Sequence, residues 1–263
     1  MDNLLVTFVK GDEYISNIDC EIFMKSLTKF SSFKKLCVYK DLNSKNVARL
    51  EEVFDYVHFD PLPSYLANND RYLAYYMWIM ERSDKFKNIM HVDFRDVIVQ
   101  KDPFEYIEKH PDIELFIVAE GMDLTKSECN LKWAKRYNDL LYGYKMNYDK
   151  SRVINSGTMA GKTHSFMQLC VNVMMNIDRP HKYYVYDQAI LNYLYPVYMN
   201  NKFVHTAEPT KSDFVITGEG VKEGFVHVKY EDGLVTTLDG NPYHVLHQWD
   251  RFSFAEDLRN RYK

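Results

Sequence analysis

The stretch HVDFRDVIVQKDPF, residues 91 to 104, places Asp93, Arg95 and Asp96 within four positions. Carboxylates that close repel each other unless a cation or a guanidinium balances them. Oxygen ligands of this kind suit Mg²⁺ or Mn²⁺, ions that bridge carboxylates to the phosphates of a nucleotide. The competing reading is a loop tie, in which Arg95 neutralises the aspartates and no metal is involved. Further along, Asn155, Ser156 and Gly157 combine an amide, a hydroxyl and a residue that lets the backbone approach a ligand closely. Asp187 and Gln188 open an apolar helix. There an Asp is either an N-cap, stabilising by roughly 1 kcal/mol, or a carboxylate projecting into a crevice. His247 and His244 both occur in HVLHQWD, and on a strand their spacing turns them to opposite faces. Arg71 is a cation in a very apolar segment, and such a charge is seldom buried without a partner.

These residues need elements to carry them. Leu4 to Val9 reads as a strand, Asp19 to Phe30 as a helix with apolar residues at helical spacing, and Lys35 to Tyr39 as a second strand. Ser44 to Phe54 reads as a helix with Ser44 as its N-cap. Residues 55 to 60 form a third strand, stopped by Pro61 and Pro63, and Asn69 to Glu81 is an apolar helix leading into the KFKNIM strand, residues 85 to 90. Strands alternating with helices predict an α/β fold with a mainly parallel central sheet flanked by helices. In such sheets, ligands sit beyond the carboxyl ends of the strands, and Asp93 and Asp96 fall at one such end. Residues 113 to 120 (IELFIVAE) read as another strand. Residues 123 to 150, with Lys126, Lys132, Lys135 and Arg136, read as a helical insertion over the sheet. VINSGTMAG (153 to 161) reads as strand then turn, Ser165 to Met175 and Tyr186 to Tyr195 as helices, FVHVKY (225 to 230) and YHVLHQW (243 to 249) as short strands, and the last residues as a polar helix. No repeat, low-complexity tract or linker divides the chain, which predicts one domain over residues 1 to 263.

Composition narrows the classes. Apolar residues make up 46 % and charged residues 27 % of the 263, an ordinary globular balance with enough chain for a sizeable core. A net charge of −4 gives no general attraction to nucleic acid or anionic membrane. The opening MDNLLVTFVKGDEY has neither a basic leader nor a long apolar run, and no segment reaches the roughly 18 apolar residues of a membrane helix. Cys20, Cys37, Cys129 and Cys170 are scattered without a CxxC pair, which predicts reduced thiols, no zinc site and a cytoplasmic location.

Four segments together carry a resemblance. DFRDVIVQKDPF is similar to the D-x-R-D-V-x-F-Q-x-D-P-F stretch of GT-A-type glycosyltransferases, which carries their DxD signature. INSGTMAG resembles the N-[SA]-G segment lining the donor sugar, YDQAILNYL the D-Q-x-x-x-N helix start of retaining, glycogenin-like members, and HVLHQWDR a late H-Q-[YW]-D-R segment. They occur in the family's order and span nearly the whole chain. Aligned on this pattern, Asp96 takes the second Asp of DxD, Phe94 takes the first, and Asp93 lies one residue early.

The resemblance implies a GT-A-like domain with a nucleotide-binding half (1 to 110) and a sugar and acceptor half (111 to 263). It implies a nucleoside-diphospho-sugar donor, UDP-linked, and a glycan or protein hydroxyl as acceptor. Mn²⁺ or Mg²⁺ would be held by Asp96, with Asp93 and His247. Asp93 is also a candidate for the ribose or for pairing with Arg95. Thr7, Phe8, Val9, Arg71, Asp93 and Arg95 are implied nucleotide contacts, and Asn155, Ser156 and Gly157 sugar contacts. Asp187 and Gln188 would face the anomeric carbon, where they orient the donor or stabilise oxocarbenium-like charge. Arg251 is expected either at phosphate or in a surface ion pair. The DQ pair leans towards retention of configuration. If the enzyme inverts, Asp187 is the first candidate base. Two rival readings are a sugar nucleotidyltransferase, disfavoured by a single glycine in KGDEY, and a non-catalytic carbohydrate-binding protein on a transferase fold, favoured by Phe94 at the DxD position.

Overall fold

A computed structural model of the chain describes residues 1–62, 67–140, 148, 151–177 and 187–262. The first half runs β1 (Asp2–Lys10), α1 (Asp12–Ile15), α2 (Ile18–Leu27), β2 (Lys34–Lys40), α3 (Ser44–Glu51), β3 (Tyr56–Phe59), α4 (Ala67–Met80), β4 (Phe86–Val92), β5 (Val97–Val99) and α5 (Pro103–Glu108). The second half continues with β6 (Leu115–Asp123), α6 (Glu128–Leu140), β7 (Arg152–Lys162), α7 (Thr163–Asn176), α8 (Asp187–Tyr198), β8 (Val204–Ala207), β9 (Val215–Thr217), α9 (Gly218–Lys222), β10 (Lys229–Glu231), β11 (Leu234–Thr236), β12 (Val245–His247) and α10 (Ala255–Tyr262).

β1 is buried almost end to end, as a strand with both faces covered should be. Its side chains alternate: Leu4, Val6 and Phe8 join one core, with Tyr72, Tyr75 and Trp78 of α4 and Phe166 of α7. Leu5 and Val9 join the other, with Phe23 of α2, Phe104 of α5 and Phe116 of β6. The main sheet has seven strands in the order β3-β2-β1-β4-β7-β6-β8. All its neighbours pair in parallel except β7, which runs antiparallel to both β4 and β6. The start of β7 therefore lies beside the carboxyl ends of the other strands. A second sheet, β5-β12-β9, covers a third apolar cluster that includes Ile98, Leu246, Trp249 and Phe252.

Several expectations shift. Asn43, not Ser44, caps α3, its side chain accepting the Asn46 N–H at 3.0 Å; both types cap well, and Ser44 is the first residue of the helix proper, one earlier than a Ser44 cap implies. The strand expected over 55–60 is shorter and ends at Phe59, ahead of Pro61, while Pro63 lies outside the described residues. The insertion at 123–150 contains α6, which packs against α8; residues 141–147, 149 and 150 lie outside the described residues. VINSGTMAG contains no turn: β7 runs straight through it, with shifts of register against β6. Of FVHVKY, only Lys229 and Tyr230 find a partner strand, because the rest has no ladder to join.

Candidate functional site

β2 and β3 extend from one side of β1, while β4 and the strands beyond it extend from the other. Connections diverge there, so a crevice opens beyond the carboxyl ends of β1 and β4. A cleft of about 200 Å³ occupies this place, lined by Phe8, Val9, Arg71, Asp93, Arg95 and Asp96, and also by Lys10, Tyr14, Phe94 and Asn68. Thr7 is fully buried in β1 and does not line it; its hydroxyl has no hydrogen-bond partner.

The departure from DxD has a local explanation. Phe94 turns into the core, its ring 5.5 Å from Phe23 and 6.3 Å from Phe54, centroid to centroid. That leaves Asp93 and Asp96 facing the same space, where β12 brings His247. β12 pairs antiparallel with β5, setting His247 opposite Val97, one residue past Asp96. Gln248 then turns left-handed (φ 56°) and donates its N–H to the Asp96 carbonyl at 2.7 Å, which pins the two segments together. His247 Nε2 lies 3.3 Å from Asp93 Oδ2 and 3.5 Å from Asp96 Oδ1. One ligand atom from each of the three residues lies within 4.8 Å of the others. His244, by contrast, points away, with Nδ1 2.6 Å from the Asp102 carbonyl.

The protonation of His247 follows from its other nitrogen. Asn155 Oδ1 accepts the Gly157 N–H at 2.9 Å and the Thr158 hydroxyl at 3.1 Å, so it acts as an acceptor. His247 Nδ1, 3.0 Å from the same oxygen, must carry a hydrogen. Nε2 is thus the atom presented to the carboxylates, and this second contact fixes the ring as in many metal-binding histidines. Two carboxylates and one imidazole form a donor set that fits Mn²⁺, and Mg²⁺ with less preference for the nitrogen. Burial alone would lower the pKa of His247. The Asp96 charge and hydrogen bonds with Asp93 and Asp96 outweigh this and raise it to about 10. Asp93 moves the other way: burial opposes its ionisation, but Arg71, His247 and His91 hold it well below the usual carboxylate range.

Asp93 pairs with Arg71 rather than Arg95, which lies 3.8 Å from Asp96. Arg71 is 4 % exposed, and its guanidinium ion-pairs with Asp93 and Asp187 while donating to the Ser156 carbonyl at 3.0 Å. Such a charge is tolerated in a core because two carboxylates and a carbonyl face its terminal nitrogens, although Nε has no hydrogen-bond partner. Asp187 is the first residue of α8 and is fully buried. Its Oδ1 accepts the Gln188 N–H at 2.8 Å, while Tyr186 before it lies outside the described residues. Burial raises the Asp187 pKa, against the opposing charge of Arg71. Gln188 is held by four contacts: its oxygen accepts from Ser156 N (3.3 Å) and Ser156 Oγ (3.2 Å), and its amide donates to Glu120 (3.1 Å) and Asn130 (2.6 Å). Gly157 sits where a β-carbon would overlap His247 Cε1 and Asp93 Oδ2, so the close approach its glycine permits is that of the site's own side chains.

Three residues enter the site without having been singled out. Glu120, 1 % exposed, accepts from Asn155 Nδ2 at 2.9 Å as well as from Gln188; its Oε2 has no partner, and burial raises its pKa. The available signal was a carboxylate closing the apolar run IELFIVAE. His91, with Nε2 3.7 Å from Asp93 and Nδ1 3.2 Å from the Tyr75 hydroxyl, is lowered to about 4 by burial and by Arg71. Asn130 had no signal beyond its polar helix. Arg251 pairs with Glu219 of α9 and does not enter the cleft.

No protein-family model matches the chain, and no curated protein matches it. The fold and site together define a mixed α/β protein with a mostly parallel seven-stranded sheet and an Asp–Asp–His cluster at its switch point. No helix among the described residues is long and apolar enough to cross a membrane.

Proposed function

We propose that the protein is a glycosyltransferase that moves a sugar from a nucleoside-diphospho-sugar, UDP-linked, to a hydroxyl of a glycan or protein. One observation carries the reading: Asp93, Asp96 and His247 converge at the mouth of β1 and β4, and Arg71 joins them to Asp187, beside Gln188. Asp93, Asp96 and His247 would hold Mn²⁺ or Mg²⁺, which when bound neutralises charge on a diphosphate leaving group. Phe8, Val9, Lys10 and Tyr14 line the part of the cleft that would take the nucleoside. Arg71 keeps the Asp187 carboxylate oriented, and the four contacts on Gln188 fix its amide beside Ser156. The Asp187 carboxylate is the group that would stabilise positive charge at an anomeric carbon, with Gln188 holding the Ser156 backbone beside it. Glu120 Oε2 is buried without a hydrogen-bond partner, and the other oxygen holds the Asn155 and Gln188 amides. The Asp187–Gln188 pair leans towards retention.

Calorimetric titration of UDP with and without Mn²⁺, into wild type and Asp96→Ala, tests the reading. The expected result is metal-dependent UDP binding that the substitution abolishes. Equal binding to both proteins, or to neither, would sink the donor-site assignment. UDP binding without release of UDP from any UDP-sugar would leave a binding protein on a transferase fold.

A further inference from the structure

Glu120 is a liability for stability. It lies near the end of β6, 1 % exposed, and its Oε2 has no hydrogen-bond partner. A half-satisfied buried carboxyl weakens a fold, and an apolar side chain of similar size avoids that penalty. The strand is irregular at the same place. Ala119 faces Ile154 but Asp123 faces Arg152, so four steps along β6 match two along β7. Such irregularities re-aim a side chain and gather beside active sites. α9 closes over the stretch, because a β-carbon on Gly220 would overlap the Glu120 carbonyl oxygen.

The other oxygen of Glu120 has a definite task. Oε1 accepts from Asn155 Nδ2 at 2.9 Å and from Gln188 Nε2 at 3.1 Å. An ionised carboxyl accepts and cannot donate, whereas an Asn or Gln amide can present either its oxygen or its nitrogen. Glu120 therefore turns both amides the same way, nitrogen towards itself and oxygen away. For Asn155 this aims Oδ1 at His247 Nδ1, at the Gly157 N–H and at the Thr158 hydroxyl. With three donors on it, Oδ1 keeps no lone pair for a ligand. For Gln188 it aims Oε1 at Ser156, whose carbonyl accepts from Arg71.

We propose that Glu120 is a positioning residue of the cation cluster. Acting through Asn155, it keeps His247 Nδ1 as a donor and Nε2 turned to Asp93 and Asp96. Carboxylates commonly orient metal-binding histidines in this way, here with one amide inserted between the two. The assignment rests on the metal-binding part of the transferase reading, and it takes Asn155 away from the sugar contacts.

Glu120→Gln tests it in the full chain, because it keeps the size of the side chain and removes the fixed direction. Calorimetry should show Mn²⁺ bound about tenfold or more weakly than by wild type. The urea midpoint should stay at or above the wild-type value, since the buried carboxyl is gone. Electron spin echo spectra of the Mn²⁺-loaded proteins report an imidazole nitrogen on the ion, and that signal should be strong in wild type and reduced in the variant. Affinity within about twofold of wild type, an undiminished nitrogen signal, or a loss of affinity matched by a loss of stability overturns the proposal. Should Glu120→Gln fail to fold, Glu120→Asp, which withdraws the carboxyl by one methylene, is judged by the same affinity and nitrogen signal. A wild type that binds no Mn²⁺ sinks the metal reading instead. Hydrogen exchange at His247 Nδ1 in the metal-free protein, followed by nitrogen-15 NMR, then decides the role of Glu120. Exchange about fivefold or more faster in Glu120→Gln supports it, and equal exchange overturns it.

Discussion

The Asp93–Asp96–His247 cluster should bind Mn²⁺ in competition with a proton, and the competition has a size. In the metal-free protein His247 Nδ1 gives its hydrogen to Asn155, and the two carboxylates hold a second proton on Nε2, with a pKa of about 10. A metal needs that lone pair, so the proton must leave. At pH 7, roughly three units below that pKa, removing it costs about 4 kcal/mol, and the cost falls by about 1.4 kcal/mol for each unit of rising pH. The logarithm of the apparent association constant should therefore rise by about one per pH unit between about pH 6 and about pH 8.5, with about one proton released per ion. Calorimetry in two buffers of different ionisation enthalpy measures both quantities. His247→Gln should flatten the slope. An affinity independent of pH in wild type, with no proton released, would refute either the ligand role of Nε2 or its protonation. The same raised pKa sets the sign for stability without metal: the contribution of His247 is fully present below about 6.5 and is lost as pH rises through about 10.

Two further outcomes follow from packing and charge. Gly157→Ala places a methyl group against His247 and Asp93, so it should destabilise by about 1–3 kcal/mol in urea unfolding and abolish Mn²⁺ binding; a variant that binds Mn²⁺ normally would contradict the packing. Arg71→Met leaves the Asp187 carboxylate buried without its cation and should cost about 3–5 kcal/mol. Adding Asp187→Asn should recover much of that loss, and a double variant no more stable than the single would show that the pair is not coupled.

The sheet was legible because its strands are short apolar runs between amphipathic or apolar helices, as in Leu4 to Val9 and Lys35 to Tyr39. The places of the candidate site residues were legible where one segment groups them, as with Asp93 and Asp96, and at a helix start, as with Asp187 and Gln188, which do open α8. It was misread where geometry depends on distant contacts. Asn155 to Gly157 looked like a turn because an Asn, a Ser and a Gly favour turns. In the fold the Gly gives room to His247, ninety residues on, and nothing local announces that need. Glu120 escaped notice because its partners, Asn155 and Gln188, come from β7 and α8. Arg71 could be read from the sequence only as a charge in need of a partner, and the convergence of α4, the end of β4 and α8 supplies both carboxylates.

Because Asp93 belongs both to the cation cluster and to Arg71, the two ends of the site share one carboxylate. A divalent ion drawing on Asp93 would loosen its hold on the guanidinium and leave Asp187 as Arg71's main counter-charge. Thermodynamic reciprocity then fixes the converse: whatever neutralises Asp187 tightens Arg71 on Asp93 and weakens ion binding by the same factor. The guanidinium would therefore act as a balance beam, through which the state of the helix start is felt at the Asp–Asp–His cluster.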